Sequence, residues 1–357
     1  MDRQPVTIRD VAREAGVSVA TVSRALNGHA NVAEGVRRHV QEVAQRLRYS
    51  PHGAARSLSS RSTQTIGVVL PDLHGEFFSE LIRGIGAVAR ARRRHMLLSS
   101  YHGDREQQAA ALRAMRGRVD GLLVMSPFAD QPGFLEENLP PLPTVLVNTH
   151  QAEPAWPAFE IDNHAGAVSM VEHLLGLGHR NIAFIAGPEH NYDARERLRG
   201  FREAIAAHPG AEGREYPGDF DEASGHRAGQ AILAAGERPQ AVFAANDMMA
   251  LGCLYAFAQA GVRVPQDIAL AGFDDIPLAR FVHPSLTTMR VSIAQLGGRA
   301  LERLLDQIET GPDSATHADA EIEADRQVLA PELVVRASCG GHGDDASASV
   351  PRENTQA

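Results

Sequence analysis

Several small or polar residues near the N-terminus have side chains that suit the edges of base pairs. They are Val19, Ala20, Thr21, Ser23, Arg24 and Asn27. An arginine can bind a guanine through two hydrogen bonds, small apolar side chains contact thymine methyl groups, and hydroxyl groups hold phosphates. Asn27 could bond a base edge or could only end its helix. On one face of a helix, this set would read the major groove of DNA.

Two short helices and a tight turn would have to position these side chains. The first helix begins with a capping box from Thr7 to Asp10, and its apolar residues recur with helical spacing at positions 8, 11, 12 and 15. Gly16 ends this helix, since glycine takes the positive φ that a helix C-terminus often requires. Val17 would plug the turn, and Ser18 can cap a second helix that begins directly after it.

A third helix is predicted from Val36, Val40, Val43 and Leu47, which share one face. Two short helices joined by a glycine-containing turn, within a basic segment, are typical of a helix-turn-helix module. A generic three-helix bundle with polar caps would have the same spacing. The spacing alone therefore leaves both interpretations open.

The charge of the chain is divided unequally between its two ends. The net charge is −9 over 357 residues. Residues 1–62 contain ten arginines and five acidic residues, so they carry +5 and the remainder carries −14. A basic module joined to an acidic body is typical of a nucleic-acid-binding protein, although solvated basic faces are also common.

The composition disfavours several classes of protein. A content of 43% apolar and 22% charged residues is ordinary for a soluble globular protein, and the length fits about two or three domains. Cys253 and Cys339 give neither a disulfide framework nor a zinc-finger spacing, so no metal and no cofactor are predicted. Neither a signal peptide nor an apolar run of about 18 residues occurs, which predicts a cytoplasmic, nucleoid-associated protein without a membrane partner.

From Thr65 onward, short apolar stretches alternate with amphipathic stretches of helical length. The predicted strands are 65–70, 96–100, 121–125, 144–148, 182–186, 241–244 and 268–272, and helices are predicted at 76–93, 107–116, 166–176 and 192–207. Such alternation favours doubly wound parallel sheets, and the length favours two lobes. The predicted domains are a headpiece at 1–50, a hinge or linker at 51–63, a two-lobed core at 64–338 and a disordered tail at 339–357.

Two N-terminal segments carry a family resemblance: Thr-Ile-Arg-Asp-Val-Ala-Arg-Glu-Ala-Gly-Val-Ser at 7–18 and Thr-Val-Ser-Arg-Ala-Leu-Asn at 21–27. They closely resemble the headpiece of the lactose-repressor (LacI/GalR) family, and the resemblance continues into Ala-Ala-Arg-Ser-Leu at 54–58. The remainder resembles the two-lobed core of that family, which is similar to periplasmic sugar-binding proteins. The implied fold is an all-α helix-turn-helix headpiece plus a two-lobed α/β core of periplasmic-binding-protein type.

The resemblance implies a second element that contacts DNA. Residues 54–58 would belong to a hinge helix that folds when DNA is bound. Leu58 would be a wedge that opens a central base step in the minor groove, with Ala55 beside it. Together with Thr7, Ser18 and the exposed residues of the second helix, these two complete the predicted DNA-binding set.

The resemblance also implies an effector site at the strand ends of the core. The matching positions are Phe77, Phe78, Asn148, Arg197, Phe220, Asn246 and Asp274. Arg197, Asn246 and Asp274 would bond the effector, Phe220 would stack against it, and the first two phenylalanines would lie at the pocket mouth. Asn148 departs from the family, because many relatives have an acid there.

Several of these positions have an ordinary structural alternative. Arg197 could be a surface ion-pair partner of a nearby glutamate, Phe77 and Phe78 could be plain core residues, and Asp274 could cap a turn. Further candidates for the site are Asp72, Tyr101 and Asp162.

The sequence therefore predicts a DNA-binding transcription regulator, a repressor of carbohydrate-utilisation genes. It would bind a palindromic double-stranded operator as a homodimer and be released by a sugar or sugar derivative. The alternative is a corepressor type, in which the ligand strengthens DNA binding. An enzyme is disfavoured because no P-loop, dinucleotide fingerprint, nucleophile elbow or metal-binding helix motif occurs. A sugar receptor is disfavoured by the basic N-terminal module.

Overall fold

The computed structural model describes residues 6–26, 31–49, 62–128, 131, 133–151, 156–310 and 326–340. The chain divides into two compact units, Met1–Thr65 and Ile66–Ala357, here called the headpiece and the body. Three predicted DNA contacts, Asn27, Ala55 and Leu58, lie outside the described residues, as does most of the predicted hinge. No helix within the described ranges has the length and apolar content needed to span a bilayer.

The headpiece contains the three predicted helices. They are α1 (Ile8–Glu14), α2 (Val19–Leu26) and α3 (Glu34–Arg46). Gly16 adopts φ +66° in the turn between α1 and α2, the left-handed conformation for which glycine was expected there. Val11, Val22 and Val40, one from each helix, are fully buried against one another. These contacts fix which side of α2 remains exposed.

The body is built from strands and helices that alternate along the chain. Its strands are β1 (Thr65–Leu70), β2 (His95–Ser100), β3 (Gly121–Val124), β4 (Thr144–Val147), β5 (Ala158–Ile161), β6 (Asn181–Ile185), β7 (Glu212–Tyr216), β8 (Ala241–Ala244), β9 (Ala269–Asp274), β10 (Thr287–Arg290), β11 (Arg326–Leu329) and β12 (Glu332–Val334). Its helices are α4 (Glu76–Ala91), α5 (Arg105–Ala114), α6 (Phe134–Asn138), α7 (Asn163–Gly176), α8 (Tyr192–Ala207), α9 (Glu222–Ala234), α10 (Asp247–Gln259) and α11 (Ile293–Thr310), with 3-10 turns at Pro277–Arg280 and Ala337–Cys339.

Two six-stranded sheets define the two lobes of the body. The first has the order β11-β5-β4-β3-β1-β2, and the second has the order β12-β10-β9-β8-β6-β7. The paired strands are parallel from β11 to β1 and from β10 to β7, whereas β12 runs antiparallel to β10. The predicted doubly wound parallel sheets are thus confirmed, apart from this one edge strand.

Within the described residues, the chain crosses between the lobes three times. It passes from β5 to the second lobe, returns after β10 so that α11 packs on α4 in the first lobe, and crosses again between β11 and β12. Each lobe is therefore assembled from separated stretches of sequence. All three connections follow the carboxyl end of a strand, which is the end at which doubly wound sheets bind ligands.

The predicted tail begins too early in the sequence. Ser338 and Cys339 are buried, and Ser338 Oγ accepts a hydrogen bond from Thr287 N at 2.8 Å and donates one to Leu270 O at 2.6 Å. The serine joins neighbouring strands of the second sheet. The ordered body therefore includes Cys339, which the prediction assigned to a disordered tail.

Candidate effector site and nucleic-acid interface

The exposed face of α2 carries the side chains that are predicted to read DNA. The exposed or half-buried residues on it are Val19, Ala20, Thr21, Ser23 and Arg24. Val22 and Ala25 are buried on the opposite face, and Val19 is 43% exposed despite being apolar. No described carboxylate forms an ion pair with Arg24. The face thus combines an available guanidinium with small apolar groups.

Thr7 and Ser18 hold the starts of the two helices. Thr7 N donates to Asp10 Oδ2 at 3.0 Å, and the Thr7 hydroxyl donates to the same oxygen at 2.7 Å, which is the predicted capping box. Ser18 Oγ accepts from Thr21 N at 3.1 Å. Both side chains are engaged within the headpiece. A phosphate only accepts hydrogen bonds, so the Thr7 hydroxyl would have to release Asp10 before it could donate to one, whereas Ser18 accepts from Thr21 N and can donate its own hydrogen. Their contact with DNA stays a prediction.

Several of the predicted effector residues lie at the carboxyl ends of strands in both lobes. Asn148 directly follows β4 in the first lobe, while Asp274 ends β9 in the second. Asn148, Phe220 and Asp274 all have positive φ values, at 45°, 62° and 117°. Such backbone conformations are costly for residues other than glycine and concentrate at functional sites. Three of the seven predicted positions share this strain.

Arg197 is the centre of the polar network in the second lobe. It is 3% exposed, so it is not the surface ion-pair partner of the alternative interpretation. Its Nε donates to Asn163 Oδ1 at 2.8 Å, its Nη1 donates to Ala245 O, and its Nη2 lies 3.3 Å from Asp274 Oδ1. The guanidinium also stacks 3.8 Å from the centroid of the Phe273 ring. These contacts hold it rigidly between β8 and β9.

Asp193 is a site residue that the sequence prediction missed. It lies at the start of α8, and its Oδ1 accepts from Asn163 Nδ2 at 2.8 Å. Its Oδ2 accepts from Asn148 Nδ2 at 2.5 Å, across the boundary between the lobes. Asn148, Asp193, Asn163, Arg197 and Asp274 therefore form one continuous chain of polar contacts, which we call the cleft network.

The cleft network contains two carboxylates and one guanidinium. Burial raises the pKa of Asp193 to about 6, although the charge of Arg197 and the hydrogen bond from Asn148 oppose this change. Burial likewise raises the pKa of Asp274 to about 6, against the charge of Arg197 and with the help of the charge of Asp193. Asp274 Oδ1 accepts no well-directed hydrogen bond from any described residue. A ligand that donates hydrogen bonds would satisfy this oxygen.

Asn246 positions the aromatic residue predicted to stack on the ligand. Its Nδ2 donates to Phe220 O at 2.9 Å, while its Oδ1 caps α10 by accepting from Met249 N at 3.0 Å. A side chain at position 187 would collide with the Phe220 ring, so Gly187 allows the ring to pack closely there. Asn246 thus has a structural role, which leaves one amide hydrogen for a ligand.

Aromatic residues also lie on both sides of the lobe boundary. Phe77 and Phe78, near the start of α4, are half-buried and meet edge to face at 5.5 Å between ring centroids. They also pack against the main core, and their role at the pocket mouth stays a prediction. His150 of the first lobe stacks on Tyr192 of the second, with ring centroids 4.1 Å apart and an interplanar angle of 3°.

The three further candidates all have local structural contacts. Asp72 Oδ1 accepts from Leu73 N and His74 N at 2.6 and 3.0 Å, which forms a turn. The Tyr101 hydroxyl is buried in the first lobe and donates to Met125 O. Asp162 caps α7. None of these contacts joins the cleft network.

Both the headpiece and the body resemble known protein families. Residues 7–52 match the bacterial regulatory proteins of the lacI family, and residues 171–339 match the periplasmic binding protein-like domain. Catabolite control protein A of Priestia megaterium is 35% identical over 303 residues, which cover 84% of this chain and 91% of that protein. The ribose operon repressor of Escherichia coli (strain K12) is 37% identical over 313 residues, covering 85% and 93%.

Solved structures give the same result. The lac repressor dimer bound to operator and the anti-inducer ONPF superimposes with a TM-score of 0.80 at 29% identity, covering 94% of this chain and 99% of that chain. The complex of the transcriptional regulator CelR with cellobiose gives a TM-score of 0.66 at 30% identity, covering 93% and 99%.

A helix-turn-helix headpiece joined to a two-lobed body with a polar cleft defines a class of ligand-responsive DNA-binding regulators. The chain belongs to the LacI family of bacterial transcription regulators.

Proposed function

We propose that this regulator is a repressor that binds a palindromic operator as a homodimer and releases it when a sugar binds between the lobes. The cleft network carries this proposal. Carboxylates of Asp193 and Asp274 can accept hydrogen bonds from sugar hydroxyls, and the Arg197 guanidinium can donate them. The Phe220 ring offers a flat face for the apolar C–H side of a sugar ring.

The chemistry of the relatives supports a sugar effector. One relative is a ribose operon repressor, and solved structures of similar proteins contain cellobiose or ribose. Asn148 stands where many relatives have an acid, but the site still contains a carboxylate at this point. Asp193 supplies it, at hydrogen-bonding distance from Asn148. The charge of the cleft therefore still suits a ligand with many hydroxyl groups.

The position of the cleft network supports coupling between ligand and DNA. The hydrogen bond from Asn148 to Asp193 and the stacking of His150 on Tyr192 both join the two lobes. A sugar that bonds to Asp193 would compete with the first of these contacts and change the preferred arrangement of the lobes. A ligand can shift an equilibrium only through such differences between states.

An exposed apolar set on the second lobe supports homodimer formation. Tyr255 on α10 is 60% exposed, and Leu278 and Phe281 are 42% and 77% exposed near the 3-10 turn at Pro277–Arg280. Ile276 N donates to Asp247 Oδ2 at 3.0 Å, which holds this turn against the start of α10. A dimer interface on this part of the second lobe would bury these side chains, and burial of apolar surface favours association.

Selection of bound sequences from random duplex DNA tests the proposal. We expect recovery of a palindrome that is bound at about 10⁻⁸ M or tighter. We also expect one sugar from a panel of pentoses, hexoses and disaccharides to weaken this binding by roughly 5–150-fold. Arg24→Ala should abolish selective binding, while Arg13→Ala, on the exposed side of α1, should retain it.

Other outcomes of this experiment would revise the proposal. A sugar that strengthens binding would identify a corepressor type of regulator. Weak, salt-sensitive binding with no shared sequence would contradict the proposed function, since it would leave only electrostatic attraction between the headpiece and DNA.

A further inference from the structure

The body is acidic overall, yet one end of its first lobe is strongly basic. Residues outside 1–62 carry a net charge of −14. Against this background, five arginines fall in two short loops of the first lobe: Arg92, Arg93, Arg94, Arg116 and Arg118. We call this set the arginine edge. The chain contains arginine but no lysine, so every basic group of this edge is a guanidinium.

The two loops of the arginine edge lie together at the amino ends of the strands. Arg94 immediately precedes β2, and its Nη1 lies 3.2 Å from Asp120 Oδ2, just before β3. Ile66 at the start of β1 pairs with Gly121 at the start of β3. The arginine edge is therefore opposite the effector cleft, at the end of the sheet where the chain enters from the headpiece.

Only part of this positive charge is neutralised within the described residues. Arg94 forms an ion pair with Asp120, and Arg92 Nη1 lies 3.7 Å from Glu309 Oε1. Arg93, Arg116 and Arg118 are exposed, and no carboxylate of the described ranges forms an ion pair with them. The edge thus presents three uncompensated guanidinium groups to solvent.

Helix termini give an ordinary explanation for some of these arginines. Helices α4 and α5 both end in these loops, and cations are favoured near helix C-termini. Arginines in this role would stabilise the helices and would not need to bind another molecule. A partner with repeated negative charges is the alternative, and guanidinium groups are well suited to bind phosphates in pairs of hydrogen bonds.

We propose that the arginine edge binds backbone phosphates of the DNA that flanks the operator, so that the body adds a second, sequence-independent contact to that of the headpiece. This inference rests on the proposed function, because it requires an operator held by the headpiece. Residues 50–61 connect the last described residue of the headpiece to Ser62, and a segment of this length spans at most ~40 Å. DNA held by the headpiece is therefore a polyanion that the proposed function already brings to the same chain.

The test compares salt dependence on short and long duplexes with the full-length protein. The probes are the selected palindrome alone and the same palindrome extended by about one helical turn on each side. The variant is Arg93→Gln with Arg116→Gln and Arg118→Gln. The matched control removes the same charge from exposed positions of the second lobe, through Arg214→Gln, Arg227→Gln and Arg238→Gln.

We expect the wild type to bind the long duplex more tightly than the short one at low salt. On the long duplex, the slope of log K against log salt concentration should be shallower for the variant, by about 0.9 for each phosphate that it no longer binds. The variant should also bind both lengths equally, whereas the control should keep the wild-type slope. Binding of the short duplex should be almost unchanged in both proteins, because the headpiece is intact.

Two results would overturn the inference, and they differ from a failure of the proposed function. An unchanged slope and unchanged length dependence in the variant would leave the arginines with a stabilising role only, especially if its melting temperature fell. An equally reduced slope in the control would mean that general charge, rather than this edge, attracts DNA. If the wild type selects no sequence at all, the proposed function itself fails.

Discussion

The carboxylate of Asp193 gives the cleft a charge that the residue at position 148 does not provide. Asn148 and Asn163 donate to its two oxygens at 2.5 and 2.8 Å, so the carboxylate is oriented from both lobes. Asp193 as a whole residue is half-buried. Asp193 is therefore placed to exchange the bond from Asn148 for one from a ligand.

The pH dependence of stability should report on Asp193. Its pKa is raised from 3.8 to about 6, so between these values the folded protein binds more protons than the unfolded chain. The free energy of unfolding therefore decreases as the pH rises through this window. The free energy of unfolding can be measured by urea titration at several pH values. Its decrease across this window should be about 1–2 kcal/mol smaller in Asp193→Asn than in the wild type. Asp274 keeps part of the dependence in both proteins.

The exposed carboxylate of Asp219 provides a matched control for this measurement. Asp219→Asn should keep the wild-type pH dependence. Equal slopes in the wild type and in Asp193→Asn would contradict the proposed environment of Asp193.

The family resemblance predicts five of the residues around the cleft: Asn148, Arg197, Phe220, Asn246 and Asp274. It does not predict Asp193 or Asn163. Arg197 and Asp274 stand in motifs that are specific to the family. Asp193 lies four positions before Arg197, and this spacing places both on one face of a helix. That signal indicates proximity, but the contact with Asn148 depends on how the two lobes meet, which no local pattern encodes.

Among the elements, α4 and α11 illustrate how closely the first lobe is packed. Gly84 of α4 lies directly against the backbone of Ala294 at the start of α11, so an added Cβ would overlap a carbonyl group. Gly86, two positions further on, has no atom nearer than 3.6 Å to such a Cβ. Two glycines of one helix therefore have opposite requirements.

Substitution of these two glycines should have opposite effects. Gly84→Ala should lower the free energy of unfolding by about 1–3 kcal/mol, because the two helices must move apart. Gly86→Ala should raise the free energy of unfolding by about 0.5–1 kcal/mol, since alanine loses less backbone entropy than glycine when the helix forms. Denaturant midpoints of the two variants would check this. A similar decrease in both would show that the helix contact does not depend on Gly84.

The elements that the sequence predicted correctly share a strong local pattern. β1, β8 and α8 were predicted with the bounds that the structure has, and the five other predicted strands agree within two residues. The strands without a prediction were β5, β7, β10, β11 and β12. The edge strand β7 reads Glu-Gly-Arg-Glu-Tyr and is largely exposed, so it has no apolar run, while β11 and β12 are short edge strands. Their pairing is set by tertiary contacts, which override weak local preference.

For the whole molecule, homodimer formation links the apolar set of the second lobe to DNA binding. Phe281→Glu should weaken the dimer, because it places a charge where an apolar contact is proposed. Sedimentation should then detect monomers at concentrations at which the wild type is dimeric, and the affinity for a palindrome should fall.

Leu177→Glu gives a control for this prediction, since Leu177 is also exposed on the second lobe but lies after α7. It should remain dimeric and keep its affinity for DNA. Dissociation by both substitutions would indicate a general loss of stability, and an unchanged dimer in Phe281→Glu would exclude this surface from the interface.

We propose that ligand binding in the cleft network controls the affinity of the separate headpiece for its operator. The most direct test is an anisotropy titration of the selected duplex with the releasing sugar, for the wild type and for Asp274→Asn. We expect both proteins to bind the duplex with equal affinity in the absence of sugar. Only the wild type should lose affinity, by roughly 5–150-fold, when the sugar is added. Release of Asp274→Asn at the same sugar concentration as the wild type would show that the cleft network does not control DNA binding.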